Sequence, residues 1–219
     1  MSQSGIFISL EGGEGSGKST QIKKLQAWLN EAHPNRSIIT TREPGGTPSA
    51  EDIRALLVQG DTDRLKPKTD ALLMLASRVE HVERLIAPSL EQGAIILCDR
   101  FADSSYVYQT LTGGYSEAEL RDLHKLSIGT IMPDRTYLMD LPAEEGLARA
   151  NSRASQTEAR FEGKGLAYHE QVREHYLSLA KQEPNRFMVI DAGRSEDEIF
   201  KQLQSDVHTL LDNKLRYTR

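Results

Sequence analysis

The sequence predicts an α/β fold, a parallel sheet with helices on both faces. Three observations carry this. Five short runs of β-branched and aliphatic residues recur at 6–10, 37–41, 94–98, 136–139 and 187–190, each flanked within two residues by Gly, Asp or Asn. Continuous runs of this kind read as strands buried on both faces. Longer amphipathic stretches separate them, and strand–helix alternation implies parallel strands joined by crossover helices. A glycine-rich segment joins the first run to the first helix.

In chain order, the run at 6–10 leads into Gly12-Gly13-Glu14-Gly15-Ser16-Gly17-Lys18-Ser19-Thr20, with a helix starting near Lys18. The run at 37–41 leads into Glu43-Pro44-Gly45-Gly46, where Pro-Gly is strong turn chemistry. Arg54 and Arg78 fall on helical stretches. Leu72, Leu75, Ala76, Val79, Val82 and Ile86 recur at helical spacing, as one long helix face turned to the core. The run at 94–98 ends in Asp99-Arg100. Ser116-Glu117-Ala118-Glu119 is a capping-box start. Helical patterns follow at 145–152, 166–181 and 196–211, on either side of the run at 187–190. Segment 154–165 is the least apolar stretch between helices and reads as a lid, about 149–165, within one domain spanning 1–219.

Composition narrows the function. The 219 residues (24.5 kDa) carry 27 Lys+Arg against 32 Asp+Glu, a net charge of -5. That acidic balance argues against a chain that coats nucleic acid. No apolar run is long enough to span a bilayer. The start MSQSGIFISLEGGEG has neither a basic segment nor a long apolar one, so no secretory signal and a cytoplasmic location are expected. The single Cys98 excludes an internal disulfide and a cysteine-built metal site, and it reads as a buried core residue. The six histidines form no tight ligand cluster, and His169 and His175 are expected at the surface.

Gly12, Gly17, Lys18 and Ser19 match G-x-x-x-x-G-K-[ST]. Glycines let backbone N–H groups turn inward around phosphate oxygens, and the following helix offers its positive end. Residues 12–20 are thus the expected ATP cradle. Lys18 reaches the β- and γ-phosphates, and the Ser19 hydroxyl ligates Mg²⁺. Asp99, ending a buried strand, is placed to hold the same ion through water, and Arg100 to clamp a phosphate. No Asn-Lys-x-Asp motif is present, since Asn213-Lys214-Leu215-Arg216 lacks the final acid; this argues against a GTP-dependent switch. Read alone, Arg54 and Arg78 are equally solvated helix charges. Tyr108 is equally a core aromatic, and Ser105 and Gln109 equally cap or loop polar groups.

Residues 12–19, Thr41-Arg42-Glu43-Pro44-Gly45-Gly46, Ala76-Ser77-Arg78, Asp99-Arg100-Phe101-Ala102-Asp103-Ser104-Ser105, Tyr108-Gln109 and Pro133-Asp134 resemble, in the same order, the motifs of bacterial thymidylate kinases. The resemblance covers essentially the whole chain. It implies a P-loop fold of three layers, with five parallel strands ordered 2-3-1-4-5 and a lid. It implies transfer of the ATP γ-phosphoryl to dTMP, Mg²⁺ as cofactor and a homodimer formed through the long sheet-packing helices. By the same resemblance Glu14 accepts a hydrogen bond from the nucleotide 3′-hydroxyl, and Glu43 lies near the acceptor phosphate and its metal. Arg54, Arg78 and Arg100 bind the dTMP phosphate and base. Ser105 and Gln109 meet the thymine edge, and Tyr108 packs beneath the deoxyribose.

Met74 is a departure. The family usually carries a thymine-stacking phenylalanine there, and methionine offers a softer, adaptable face instead. The variable loop positions Gly13, Glu14, Gly15 and Ser16 include no base, whereas the lid region holds Arg149, Arg153 and Arg160. The chain therefore resembles the lid-arginine type. Arg153 falls at the adenine-stacking position and Arg160 at the phosphate position. Arg149 and Arg153 also have the i,i+4 spacing of a solvated helix face. The competing enzyme reading is another small P-loop kinase. A deoxynucleoside kinase would not need three arginines for an acceptor phosphate, and an ATP-dependent partner-binding protein would not need Ser105 with Gln109.

Overall fold

The computed structural model describes residues 4–59, 64–152 and 164–217. The chain runs β1 (Ile6–Glu11), α1 (Lys18–Ala32), β2 (Ile38–Arg42), α2 (Pro48–Val58), α3 (Pro67–His81), a π-helical turn (Val82–Ile86), α4 (Ala87–Glu91) and β3 (Ile95–Asp99). It continues as α5 (Ala102–Leu111), α6 (Glu117–Ile128), β4 (Arg135–Asp140), α7 (Ala143–Asn151), α8 (Leu166–Gln182), β5 (Phe187–Asp191) and α9 (Glu196–Tyr217). The sheet is parallel with order β2-β3-β1-β4-β5, as expected.

Alternation along the central strands divides the core in two. Ile6, Ile8 and Leu10 face α1 and α9 with Ile95, Leu97, Tyr137 and Met139. Phe7, Ile96, Cys98 and Leu138 face the opposite layer, where Phe101, Val107, Val172 and Tyr176 close over them. Burial pushes the Cys98 thiol well above its ordinary range, consistent with an inert core group.

Three expectations change. The edge strands β2 and β5 are only partly buried, because each has one pairing neighbour and an open side. The stripe from Leu72 to Ile86 is not a single core face. A π-helical turn interrupts it, and Leu72 is 45% exposed. The face of α3 that goes inward carries Ala71 together with Asp70, Ser77, Arg78 and His81, four polar groups that find partners on neighbouring elements. His169 is buried at 5% exposure rather than lying on the surface. The capping box forms as read, with the Glu119 amide donating to Ser116 Oγ and the Ser116 amide to the Glu119 carboxylate.

Candidate active site

β1 and β3 are paired in register, Leu10 opposite Asp99, so their carboxyl ends open side by side. In parallel α/β sheets this edge is where ligands bind. After β1 the chain turns through Gly12 (φ 133°) and Gly15 (φ 67°) to Gly17 (φ 86°), the left-handed residue just before α1. A side chain at Gly15 would meet the Gly146 carbonyl at 2.1 Å, so α7 also presses on this loop. Lys18 Nζ folds over the loop and donates to the carbonyls of Gly12 (3.1 Å) and Gly13 (2.9 Å). Burial, and then the nearby Arg100 cation, hold Lys18 below the usual ammonium range. Ser19 Oγ donates to Asp99 Oδ2 at 2.8 Å, bringing together a hydroxyl and a carboxylate from two elements.

Beside the loop lies an open cleft. Glu14, Glu43, Arg54, Met74, Arg78, Arg100, Ser105, Tyr108 and Gln109 line it, together with Pro44, Val58, Phe101 and Ser104. The first nine come from five separate stretches of sequence: the loop, the turn after β2, α2, α3, and the β3–α5 junction with α5.

Their mutual bonds show how the cleft is built. Arg100 adopts a left-handed backbone (φ 68°), which turns its guanidinium across the loop. Its Nη2 donates to Glu14 Oε1 at 2.7 Å and its Nη1 to the Gly12 carbonyl at 3.0 Å. Burial opposes ionisation of Glu14, but the Arg100 and Lys18 cations outweigh it and hold the carboxyl below its usual range. Arg78 is buried. Its Nε donates to Glu43 Oε2 at 2.7 Å and its Nη2 to Ser105 Oγ at 2.9 Å. Glu43 Oε1 meets His81 Nδ1 at 2.9 Å, and His81 Nε2 meets Thr41 Oγ1 at 2.7 Å. Burial works against the Glu43 carboxylate too, and Arg78 with the His81 hydrogen bond keeps it below the usual range. Arg54 Nη1 donates to the Pro44 carbonyl at 2.8 Å, and Gln109 Nε2 to Asp70 Oδ1 at 3.0 Å.

Reading the sequence missed His81, Ser104, Tyr176 and Glu11. His81 lies one turn beyond Arg78 on the same helix face, a spacing that could have linked the two. Glu11 ends a buried strand just as Asp99 does, and that parallel was the available signal. Of the lid arginines, Arg149 donates to the Ala192 carbonyl at 3.1 Å and pairs with Glu145 at 3.6 Å. It is therefore half-buried against the β5–α9 junction rather than freely solvated. Arg153, Arg160 and most of the lid lie outside the described residues.

A phosphate cradle at the carboxyl edge of a 2-3-1-4-5 parallel sheet, beside an arginine-lined cleft, defines a P-loop phosphotransferase. Known proteins narrow that class. The thymidylate kinase family model matches residues 10–203. A thymidylate kinase of Caulobacter vibrioides is 50% identical over 195 residues, covering 89% of this chain and 92% of that protein. One of Geobacter sulfurreducens is 48% identical over 193 residues, covering 86% and 90%. The crystal structure of thymidylate kinase from Ehrlichia chaffeensis superposes with a TM-score of 0.74 at 30% identity, covering 94% of this chain and 99% of that one. The chain belongs to the thymidylate kinase family.

Proposed function

We propose that the chain transfers the γ-phosphoryl group of ATP to dTMP, giving ADP and dTDP, with residues 12–20 as donor site and the adjoining cleft as acceptor site. The observation that carries this assignment of sites is the convergence of Arg54, Arg78 and Arg100 on one cleft beside the loop. A dianionic acceptor needs several guanidinium donors, and a pyrimidine edge needs a few short polar groups, here Ser105 and Gln109. Ser105 accepts from Arg78, which leaves its own O–H free to turn toward a base carbonyl. Tyr108 packs beneath the sugar, Glu14 meets the 3′-hydroxyl and Met74 covers the base. Glu43 acts on the acceptor phosphate by holding Arg78.

Ser19 and Asp99 suit Mg²⁺: they are hard oxygen donors in contact at the mouth of the loop. Among the described residues no group of three or more His, Cys, Asp or Glu side chains could hold a metal, so phosphates and water would complete the coordination. When bound, the ion would supply neutralisation of phosphate charge. Lys18 and the lid arginines Arg153 and Arg160 neutralise the charge that develops on transfer. The acceptor oxygen is already ionised at neutral pH, so positioning and water exclusion replace a strong base.

Two copies pair through the long helices packed on the sheet, among which Leu126 of α6 (84%), Leu56 of α2 (46%) and Leu72 of α3 (45%) are exposed apolar side chains. The setting is cytoplasmic. Among the described residues no helix is long and apolar enough to cross a membrane. ADP release measured with dTMP, dUMP, AMP, CMP, GMP and thymidine as acceptors tests the reading. Preference for dTMP supports it, and preference for any other acceptor overturns it.

A further inference from the structure

Three successive residues at the end of β1 hold Arg100 and the residue that follows it. The Leu10 carbonyl accepts the Arg100 amide at 3.0 Å. Glu11 Oε1 accepts the next amide, Phe101 N–H, at 2.6 Å. The Gly12 carbonyl accepts the guanidinium at 3.0 Å. Glu11 has a second connection through its other oxygen. Ser104 Oγ donates to Oε2 at 2.7 Å and the Tyr176 hydroxyl at 3.0 Å. Those same two hydroxyl oxygens accept from Arg100 Nη1, at 3.4 and 3.3 Å.

Glu11 is fully buried, and it lies outside the cleft lining while Phe101, Ser104 and Arg100 lie in it. Burial and the nearby Asp103 carboxyl push Glu11 up to about 7, partly offset by Arg100. An apolar residue would fill this place without that desolvation cost. A carboxylate does what an apolar residue does not: it satisfies the Phe101 amide beside a left-handed arginine and fixes the two hydroxyls behind its guanidinium. The Phe101 amide would otherwise be a buried donor at the start of α5.

The geometry points to Glu11 as a positioning residue for the acceptor site: it sets the backbone turn and side-chain direction of Arg100, and so couples the donor's phosphate loop to the arginine that meets the acceptor. This rests on the reading of Arg100 given above. Glu11 touches neither nucleotide in this account and acts through Arg100, Ser104 and Tyr176.

The test is steady-state kinetics on the full chain for Glu11→Gln, Arg100→Lys and the double variant, with thermal unfolding of each. Glu11→Gln keeps the shape and removes the charge. Its expected effect is a KM for dTMP raised about tenfold, with the KM for ATP within about twofold of wild type. In the Arg100→Lys background the same change adds less than about twofold, because it acts through the group already altered. Tyr176→Phe removes one hydroxyl between Glu11 and Arg100 while the ring stays. It gives the same KM pattern at about threefold and serves as the test if Glu11→Gln does not fold. If Arg100→Lys raises the dTMP KM and neither Glu11→Gln nor Tyr176→Phe does, positioning by Glu11 is wrong and the site reading stands. Equal losses for both substrates, or effects additive with Arg100→Lys, also overturn it. An unchanged dTMP KM in Arg100→Lys brings down the site reading and this inference together.

Discussion

Arg100 and Glu14 form an ion pair of 2.7 Å, with side chains only 16% and 18% exposed, across the boundary between the phosphate loop and the cleft. The pair ties a variable loop position to the proposed acceptor site, so in that proposal Glu14 serves two neighbours. Glu14→Gln keeps the shape and weakens both the ion pair and the proposed 3′-hydroxyl contact. The expected result is a ten- to hundredfold drop in kcat/KM for dTMP, on the order of 1–3 kcal/mol. Discrimination between dTMP and its 3′-deoxy analogue falls toward unity in the same variant. Paired rate measurements on the two acceptors check this.

Lys18 donates to its own loop at the Gly12 and Gly13 carbonyls and is buried. Lys18→Ala removes the one cation within the loop. Turnover is expected to fall by about a thousandfold or more, as for a lost charge contact on the transferring phosphoryl group. Thermal unfolding should change little, since a buried cation carries its own desolvation cost. Turnover near the wild-type rate would refute the role given to the loop.

Met74 lines the cleft proposed to take the base. Met74→Phe is expected to retain turnover and lower the KM for dTMP about threefold, within the about 0.5–1.5 kcal/mol attributed to aromatic stacking. A large loss of turnover would show that the thioether has a task that a ring cannot perform.

His124 packs edge-on against Phe101 (6.0 Å between centroids) and Tyr106, with Nε2 meeting the Ile131 carbonyl at 3.2 Å. Burial, then the Arg78 cation, pull its pKa down to about 4. The unfolded chain, at about 6.5, binds the proton more readily, so protonation favours unfolding. This contribution to stability is present in full above about pH 6.5 and is lost as pH falls toward 4. Between pH 8 and pH 5 the wild type should lose about 2 kcal/mol more than His124→Leu does. Denaturant titrations of both proteins at the two pH values check the difference. Glu11 has the opposite sign, because its raised pKa favours the folded state at low pH, so the comparison between variants isolates His124.

The strands and the phosphate loop were legible because their chemistry is local. A five-residue β-branched run is a strand in nearly any setting, and glycines spaced around a lysine specify one turn. The cleft was legible only through family motifs, since Arg54, Arg78, Ser105 and Gln109 look like solvated residues until the fold gathers them. Helix α3 shows why periodicity alone failed. Its apolar stripe promised a core face, yet Ser77 bonds the Gly45 amide, Arg78 and His81 bond Glu43, and Asp70 bonds Gln109. Those partners lie about 30 to 40 positions away in sequence, which no local pattern records. Glu11 escaped notice for the same reason. An acid ending a strand reads as a cap until α5 and α8 bring Ser104 and Tyr176 onto it.

The central claim is that three arginines in one cleft receive the acceptor's phosphate. Calorimetric titration of the chain with dTMP and with thymidine tests it most directly, because the ligands differ only in that group. dTMP is expected to bind at least about a hundredfold more tightly, the order for charge-assisted bonds to several guanidiniums. Equal affinities would contradict it.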